Sequence, residues 1–249
     1  MTFRAAAKLV WFLFEVVVIV GDYIFTTAFV PEKSRRVARA AWMHRAGRRH
    51  LRIYSCTVSV TGPVPQSGLL VANHLSYLDI LVIASITPAV FVSKSELRGW
   101  PLIGWLASLG GTVFIRRDRR THVGAVNREI EAIMAAGALV VVFPEGTSTN
   151  GDEVLPFRSS LLEPVTTGAQ PIATGYLHYE LEGGEARHEV CYWGDHAFFP
   201  HALNLLGQRR VRATMRFGTF QRTTADRKEL AVQLRAAVLE LKAEGLAPA

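Results

Sequence analysis

From Cys56 to Phe143 the sequence alternates in character. Short apolar runs, "CTVSV", "GLLVA", "AVFVS", "GTVFI" and "ALVVVF", are separated by stretches with helical spacing. Runs this short, rich in β-branched residues, read as strands, and most lack the polar alternation of a half-exposed strand. Strands regularly interrupted by helices need crossover connections, which produce a mostly parallel sheet covered by helices. The intervening stretches fit that scheme. "ILVIASI" reads as a buried helix opening near Tyr77, and "LIGWLASL" as a short apolar helix. Residues 121–136 place Val126, Ile130 and Ile133 on one helical face, with Gly137 as the C-cap. "QPIATGYLHY", "EVCYW" and "RVRATMRFG" are further strand candidates, and residues 225–243 read as a closing amphipathic helix. The expected fold class is α/β: a mostly parallel central sheet flanked by helices. With 249 residues, 49% of them hydrophobic, the chain can bury one such core.

An apolar, membrane-associating helical segment precedes this domain. Residues 9–30, "LVWFLFEVVVIVGDYIFTTAFV", are long enough at about 1.5 Å per residue to reach across a hydrocarbon layer of about 30 Å. Glu15 and Asp22 interrupt the run. With Arg4, Lys8 and Thr26 they fall on one narrow helical stripe, broken by Trp11 and Ile19. A helix surrounded by lipid does not carry such a stripe without a partner. Either the stripe faces protein or headgroups, or Gly21 and Asp22 divide the segment into two in-plane helices. Spanning and lying in the interface both stay open. The internal acids, and the lack of a small-x-small cleavage site, argue against a secretory signal peptide.

Charge singles out the segment after the apolar run. The formal net charge is +7, yet between Lys33 and Arg52 there are eight Lys or Arg and no acid, so the rest of the chain is nearly neutral. As a helix this segment aligns Arg45, Arg48, Arg49 and Arg52 on one face, which suits phosphates. Because it abuts the apolar run, an anionic membrane surface is the expected partner, and nucleic acid is not. Charge bias puts it on the cytoplasmic face of the inner membrane. The expected division is an anchor with a basic segment over 1–52 and an α/β domain over 53–249. The two cysteines, Cys56 and Cys191, match neither a disulfide framework nor a metal-ligand spacing, and no metal is expected.

Three apolar strands end in polar groups. "GLLVA" runs into Asn73 and His74, with Asp79 five residues beyond the histidine; "GTVFI" runs into Arg116 and Arg117; "ALVVVF" runs into Pro144, Glu145 and Gly146. Ligands in such sheets sit beyond the carboxyl ends of the strands, so the three groups are expected to converge. An imidazole held at one nitrogen by a carboxylate can accept a proton at the other, which makes His74 and Asp79 a candidate base and orienter. Asp79 also admits a plainer reading, in the first turn of the following helix. A guanidinium such as Arg117 can grip a phosphate through paired hydrogen bonds. Gly146 allows close backbone approach, and Thr147 and Ser148 offer hydroxyls. No Gly-x-Ser-x-Gly elbow, phosphate loop, dinucleotide fingerprint or His-Glu-x-x-His is present.

Taken in order, these stretches resemble the glycerolipid (lysophospholipid) acyltransferase family of the bacterial 1-acylglycerol-3-phosphate acyltransferase type. The family's Asn-His-x4-Asp matches Asn73, His74 and Asp79. Its Gly-x-x-Phe-Ile-x-Arg matches Gly111, Phe114, Ile115 and Arg117, and its Phe-Pro-Glu-Gly-Thr matches Phe143 to Thr147. Two departures stand out. The arginine usual after that threonine is replaced by Ser148 and Thr149, with Arg158 as a nearby charge. Of the two prolines in the fourth motif only Pro171 is present, Thr174 holding the second place. The resemblance implies transfer of a fatty acyl group from acyl-CoA or acyl carrier protein to the hydroxyl of a lysolipid, with lysophosphatidic acid leading. A lyso-ornithine lipid or another lysolipid is the alternative acceptor. It implies no cofactor beyond the acyl donor. His74 becomes the base, Asp79 its orienter, and Asn73, Gly111, Phe114, Arg117, Glu145, Gly146, Thr147 and Arg158 the substrate-binding set. Residues 99–111, "GWPLIGWLASLGG", become candidate lining of an acyl groove. Outside the class stands a non-catalytic membrane-binding protein of the same fold.

Overall fold

A computed structural model describes residues 2–116, 120–166 and 169–245. The chain opens with helices α1 (Phe3–Thr26) and α2 (Glu32–Ile53). Then come β1 (Cys56–Thr61), β2 (Gly68–Ala72), α3 (Leu78–Ile86), β3 (Ala89–Lys94), α4 (Ile103–Leu109), β4 (Val113–Ile115), α5 (Arg120–Ala135) and β5 (Leu139–Val142). Beyond a long loop lie β6 (Ile172–Leu181), α6 (Ala186–Glu189), α7 (Phe198–Gly207), β7 (Val211–Phe220) and α8 (Arg227–Glu244).

The strands form one sheet in the order β1-β7-β6-β2-β5-β3-β4. Five neighbouring strands, β6 to β4, run parallel, and β1 and β7 form a second parallel pair joined antiparallel to β6. Strands β2 and β5 lie in the middle, and every residue in them is buried. That burial explains their unbroken apolar sequence, since each Val or Leu taken fully out of water contributes about 1.5–3 kcal/mol. One core lies between the sheet and α3 with the end of α2, and the other between the sheet and α5 with α8. The expected α/β class is the one observed. One strand candidate is corrected: "EVCYW" is not a strand, because Tyr192 N–H donates to the carbonyl of Leu75 and Cys191 N–H to that of Ala186, in a loop leaving α6.

Helix α1 is unbroken across Gly21 and Asp22, and it is long and apolar enough to cross a membrane. Its polar stripe faces protein. Arg4 and Lys8 donate to the carbonyls of Gly207 and Gln208 at the end of α7. Arg49 of α2 grips both oxygens of Glu15, at 2.6 and 3.1 Å, and Arg45 bonds Asp22 and Thr26. The four-arginine face expected on α2 is therefore divided: Arg45 and Arg49 turn to α1, while Arg48 and Arg52 stay exposed. The other side of the hairpin exposes large apolar groups, among them Phe3, Phe14, Val17, Phe25 and Phe29.

Candidate active site

Strand β2 delivers His74 to the carboxyl edge, and its two neighbours fix the ring in place. The chain turns after Asn73, and Asp79 comes back in the first turn of α3. Its Oδ2 accepts from the backbone N–H groups of Leu75 (2.7 Å) and Ser76 (3.0 Å) and lies 2.7 Å from His74 Nδ1. An oxygen already accepting two amides acts as an acceptor toward the ring too, so the Nδ1 proton points at it. Nε2 is left with a lone pair and with no hydrogen bond among the described residues. Asp79 is fully buried, whereas the His74 side chain keeps 22% exposure. The two sequence readings of Asp79 are thus one: it organises the helix start with the same oxygen that holds the imidazole.

The neighbouring strands complete the clamp. From β5, the Phe143 ring stacks on His74 with centroids 4.3 Å apart and planes 14° apart. Glu145 Oε1 accepts the His74 N–H at 2.7 Å, and Thr149 N–H donates to the His74 carbonyl at 2.9 Å. From β6, Tyr179 O–H donates to Asp79 Oδ1 at 2.8 Å. Asn73 exchanges two hydrogen bonds with the backbone of Leu177, extending the β2–β6 pairing by one side chain.

The structure separates the other expected site residues into groups. Asn73 and Glu145 are framework: both are buried, and both Glu145 oxygens are held by amides, the second by Leu155 N–H at 2.8 Å. Burial pushes the Glu145 carboxyl up to about 7, against the downward pull of those two amides. Gly146 is buried at a left-handed turn, φ +77°, which carries the chain round below His74. Thr147 and Arg158 are exposed beside it, and Arg158 N–H bonds the Pro144 carbonyl. Gly111 and Phe114 lie at β4, at the sheet edge three strands from β2, and line a cleft there. Arg117 lies outside the described residues. From the apolar stretch 99–111, Leu106 and Leu109 pack against Ile19 and Trp42, while Trp105 is half exposed.

Ser148, standing where the resemblance calls for arginine, donates its hydroxyl hydrogen to the carbonyl of Tyr192. The loop 191–193 is thereby tied to the third motif by Ser148 and to the first motif by Leu75. Tyr192 joins a cluster of rings with Tyr77, Phe198 and His201 beside the entrance to α3. Sequence reasoning missed Tyr179 and this loop. A signal existed for Tyr179: a phenol on the inward, apolar face of a strand needs a buried partner.

A family model described as Acyltransferase matches residues 56–176. A lyso-ornithine lipid O-acyltransferase from Pseudomonas aeruginosa is 34% identical over 189 residues, covering 73% of this chain and 70% of that protein. The chain belongs to the acyltransferase family. Other relatives in this family carry more than one name. A lyso-ornithine lipid O-acyltransferase from Rhizobium meliloti is 33% identical over 162 residues, 60% of this chain and 56% of that protein. A 1-acyl-sn-glycerol-3-phosphate acyltransferase from Neisseria meningitidis is 33% identical over 141 residues, 55% of each. The match thus spans little more than half the length of these two relatives. The acyltransferase fold extends beyond it. The crystal structure of the 1-acyl-sn-glycerophosphate acyltransferase PlsC from Thermotoga maritima superposes with a TM-score of 0.65 at 18% identity, covering 95% of both chains.

Proposed function

We propose that this protein is a membrane-surface O-acyltransferase that moves a fatty acyl group from a thioester donor, acyl-CoA or acyl carrier protein, to the free hydroxyl of a lysolipid. The observation that carries the reading is the His74–Asp79 pair at 2.7 Å, at the carboxyl edge of the sheet, with Nε2 open. His74 Nε2 takes the hydroxyl proton as the acceptor oxygen attacks the thioester carbonyl. Asp79 stabilises the imidazolium. The tetrahedral intermediate collapses with loss of the thiolate, which receives the proton from His74. An ester and a thiol result. No covalent enzyme intermediate, cofactor or metal enters this scheme. Among the described residues no group of three His, Cys, Asp or Glu stands close enough to hold a metal ion.

The α1–α2 hairpin supports a site held at the bilayer. The polar stripe of α1 is occupied by protein, while Phe25 and Phe29, at the end of α1 and in the turn after it, are each over 85% exposed. An apolar face on a hairpin whose other face is packed favours lying in the interface over spanning. Arg48 and Arg52 then meet anionic headgroups on the cytoplasmic face.

Lysophosphatidic acid is the acceptor that the three motifs favour. A lyso-ornithine lipid is favoured by a separate observation: Ser148 replaces the arginine that would meet a phosphate, and it is engaged with Tyr192. Several relatives bear that second name. The test supplies purified protein with both lysolipids and one acyl donor. Transfer to either, lost by several orders of magnitude in His74→Ala, supports the reading; transfer undiminished in His74→Ala removes the base assignment.

A further inference from the structure

The open edge of the sheet carries a concave site remote from His74. A cleft of about 410 Å³ lies beside β4. Arg35, Arg36 and Arg39 of α2 and Arg98 of the turn before α4 line it, with Glu32 and Glu129 as its acids. Arg35 pairs with Glu32 at 2.5 Å and Arg36 with Glu129 at 3.2 Å. Two guanidinium groups remain without an ion pair among the described residues. Arg39 buries its Nε with no hydrogen-bond partner. Arg98 has no ion pair among the described residues and sits 5.8 Å from the centroid of Phe114. Gly111, at φ +77°, turns the chain against the stem of Arg39, to which an added Cβ would come within 3.3 Å. A buried donor without an acceptor is costly, and an excess of two positive charges among the described lining residues suits a dianion.

The geometry points to a phosphate-binding site in this cleft, distinct from the centre at His74. Strand β4 stands three strand spacings from β2, about 14 Å at about 4.8 Å each. A phosphate on a lysolipid acceptor lies only a few bonds from its reacting hydroxyl and stays near His74. Two sources remain. A thioester donor carries its phosphates at the far end of a pantetheine arm, away from the reacting sulfur. A bilayer phospholipid is a second source, because Arg35 also bonds the carbonyl of Val30, next to the exposed Phe29. Only the donor source rests on the acyl-transfer reading.

Equilibrium binding to the full chain in detergent micelles tests the site without turnover, so its failure is separable from failure of the catalytic reading. The probes are CoA, phosphate-free pantetheine, and phosphatidylcholine vesicles with and without phosphatidylglycerol. Arg98 is exposed, so Arg98→Gln keeps the fold; Arg39→Gln is the stronger variant. A rise of about tenfold in the CoA dissociation constant in either variant, with pantetheine binding unchanged, assigns the site to the donor. A similar loss of the phosphatidylglycerol-dependent part of vesicle binding, with CoA unaffected, assigns it to lipid. Unchanged binding of both CoA and phosphatidylglycerol vesicles in both variants overturns the proposal.

Discussion

The phenol of Tyr179 and the carboxyl of Asp79, 100 residues apart in sequence, meet at 2.8 Å in a fully buried contact. The bond uses the one oxygen of Asp79 that His74, Leu75 and Ser76 leave free. Tyr179→Phe removes it without touching the imidazole. The expected outcome is a loss of about 1–2 kcal/mol of stability, seen as a lower Tm, and a several-fold fall in kcat with KM for the acceptor little changed. A rise in KM with kcat intact would place Tyr179 outside the orienting network.

Glu145 supplies a pH signature. Its folded carboxyl is raised to about 7 from an ordinary 4.5, so between those values the folded state holds more proton than the unfolded chain. The associated stability is fully present below about 4.5 and is lost as pH rises through about 7. Glu145→Gln cannot titrate, and its amide nitrogen faces a backbone donor at one end, costing about 1–3 kcal/mol. Thermal melts of both proteins from pH 4 to 8 should show the wild-type advantage shrinking toward neutral pH. A constant difference would show that Glu145 does not titrate in this range.

Ser148 tests acceptor choice. Ser148→Arg restores the cation of the related motif and breaks the tether to Tyr192. The ratio of kcat/KM for lysophosphatidic acid over lyso-ornithine lipid should rise about tenfold, the worth of one charge-assisted hydrogen bond. Ser148→Ala, which breaks the tether alone, should leave the ratio near its original value. Equal ratios in all three proteins would separate acceptor choice from this position.

Phe25 and Phe29 test the membrane face. Each is over 85% exposed, so replacing either with Ser changes no packing within the protein. If these rings enter the interface, each loss should weaken vesicle partitioning about tenfold or more, in step with the apolar area withdrawn from lipid. Flotation with phosphatidylcholine–phosphatidylglycerol vesicles reads this directly. Unaltered flotation would move the contact elsewhere on the hairpin.

Much of this was legible in the sequence, for reasons that differ along the chain. The runs of β2 and β5 are apolar throughout because they are buried on both faces, and the pattern alone identifies them. The Asn-His-x4-Asp spacing is local, so its hydrogen-bonded pair could be anticipated. Two kinds of feature were not. "EVCYW" has strand-like composition, but its amides bond Leu75 and Ala186, a tertiary choice invisible to local pattern. Helix α7 begins "FFP", where proline reads as a breaker, yet Pro200 stands in the first helical turn, where its missing N–H costs nothing. The roles of Asn73 and Glu145 were hidden too, because their partners, Leu177 and Leu155, depend on how distant segments dock.

The placement of β6 has a consequence for the order of assembly. Asn73 waits for Leu177 and Asp79 for Tyr179, each about a hundred residues further along the chain. On a ribosome, the segment carrying His74 and Asp79 emerges long before the strand that fixes it. A chain cut short anywhere in β5 or the loop after it holds the histidine and the aspartate, but not the sheet that orients them. Competence thus depends on a sheet that is complete only after β6 has been made, and non-local pairing of the β2–β6 kind is slow to form.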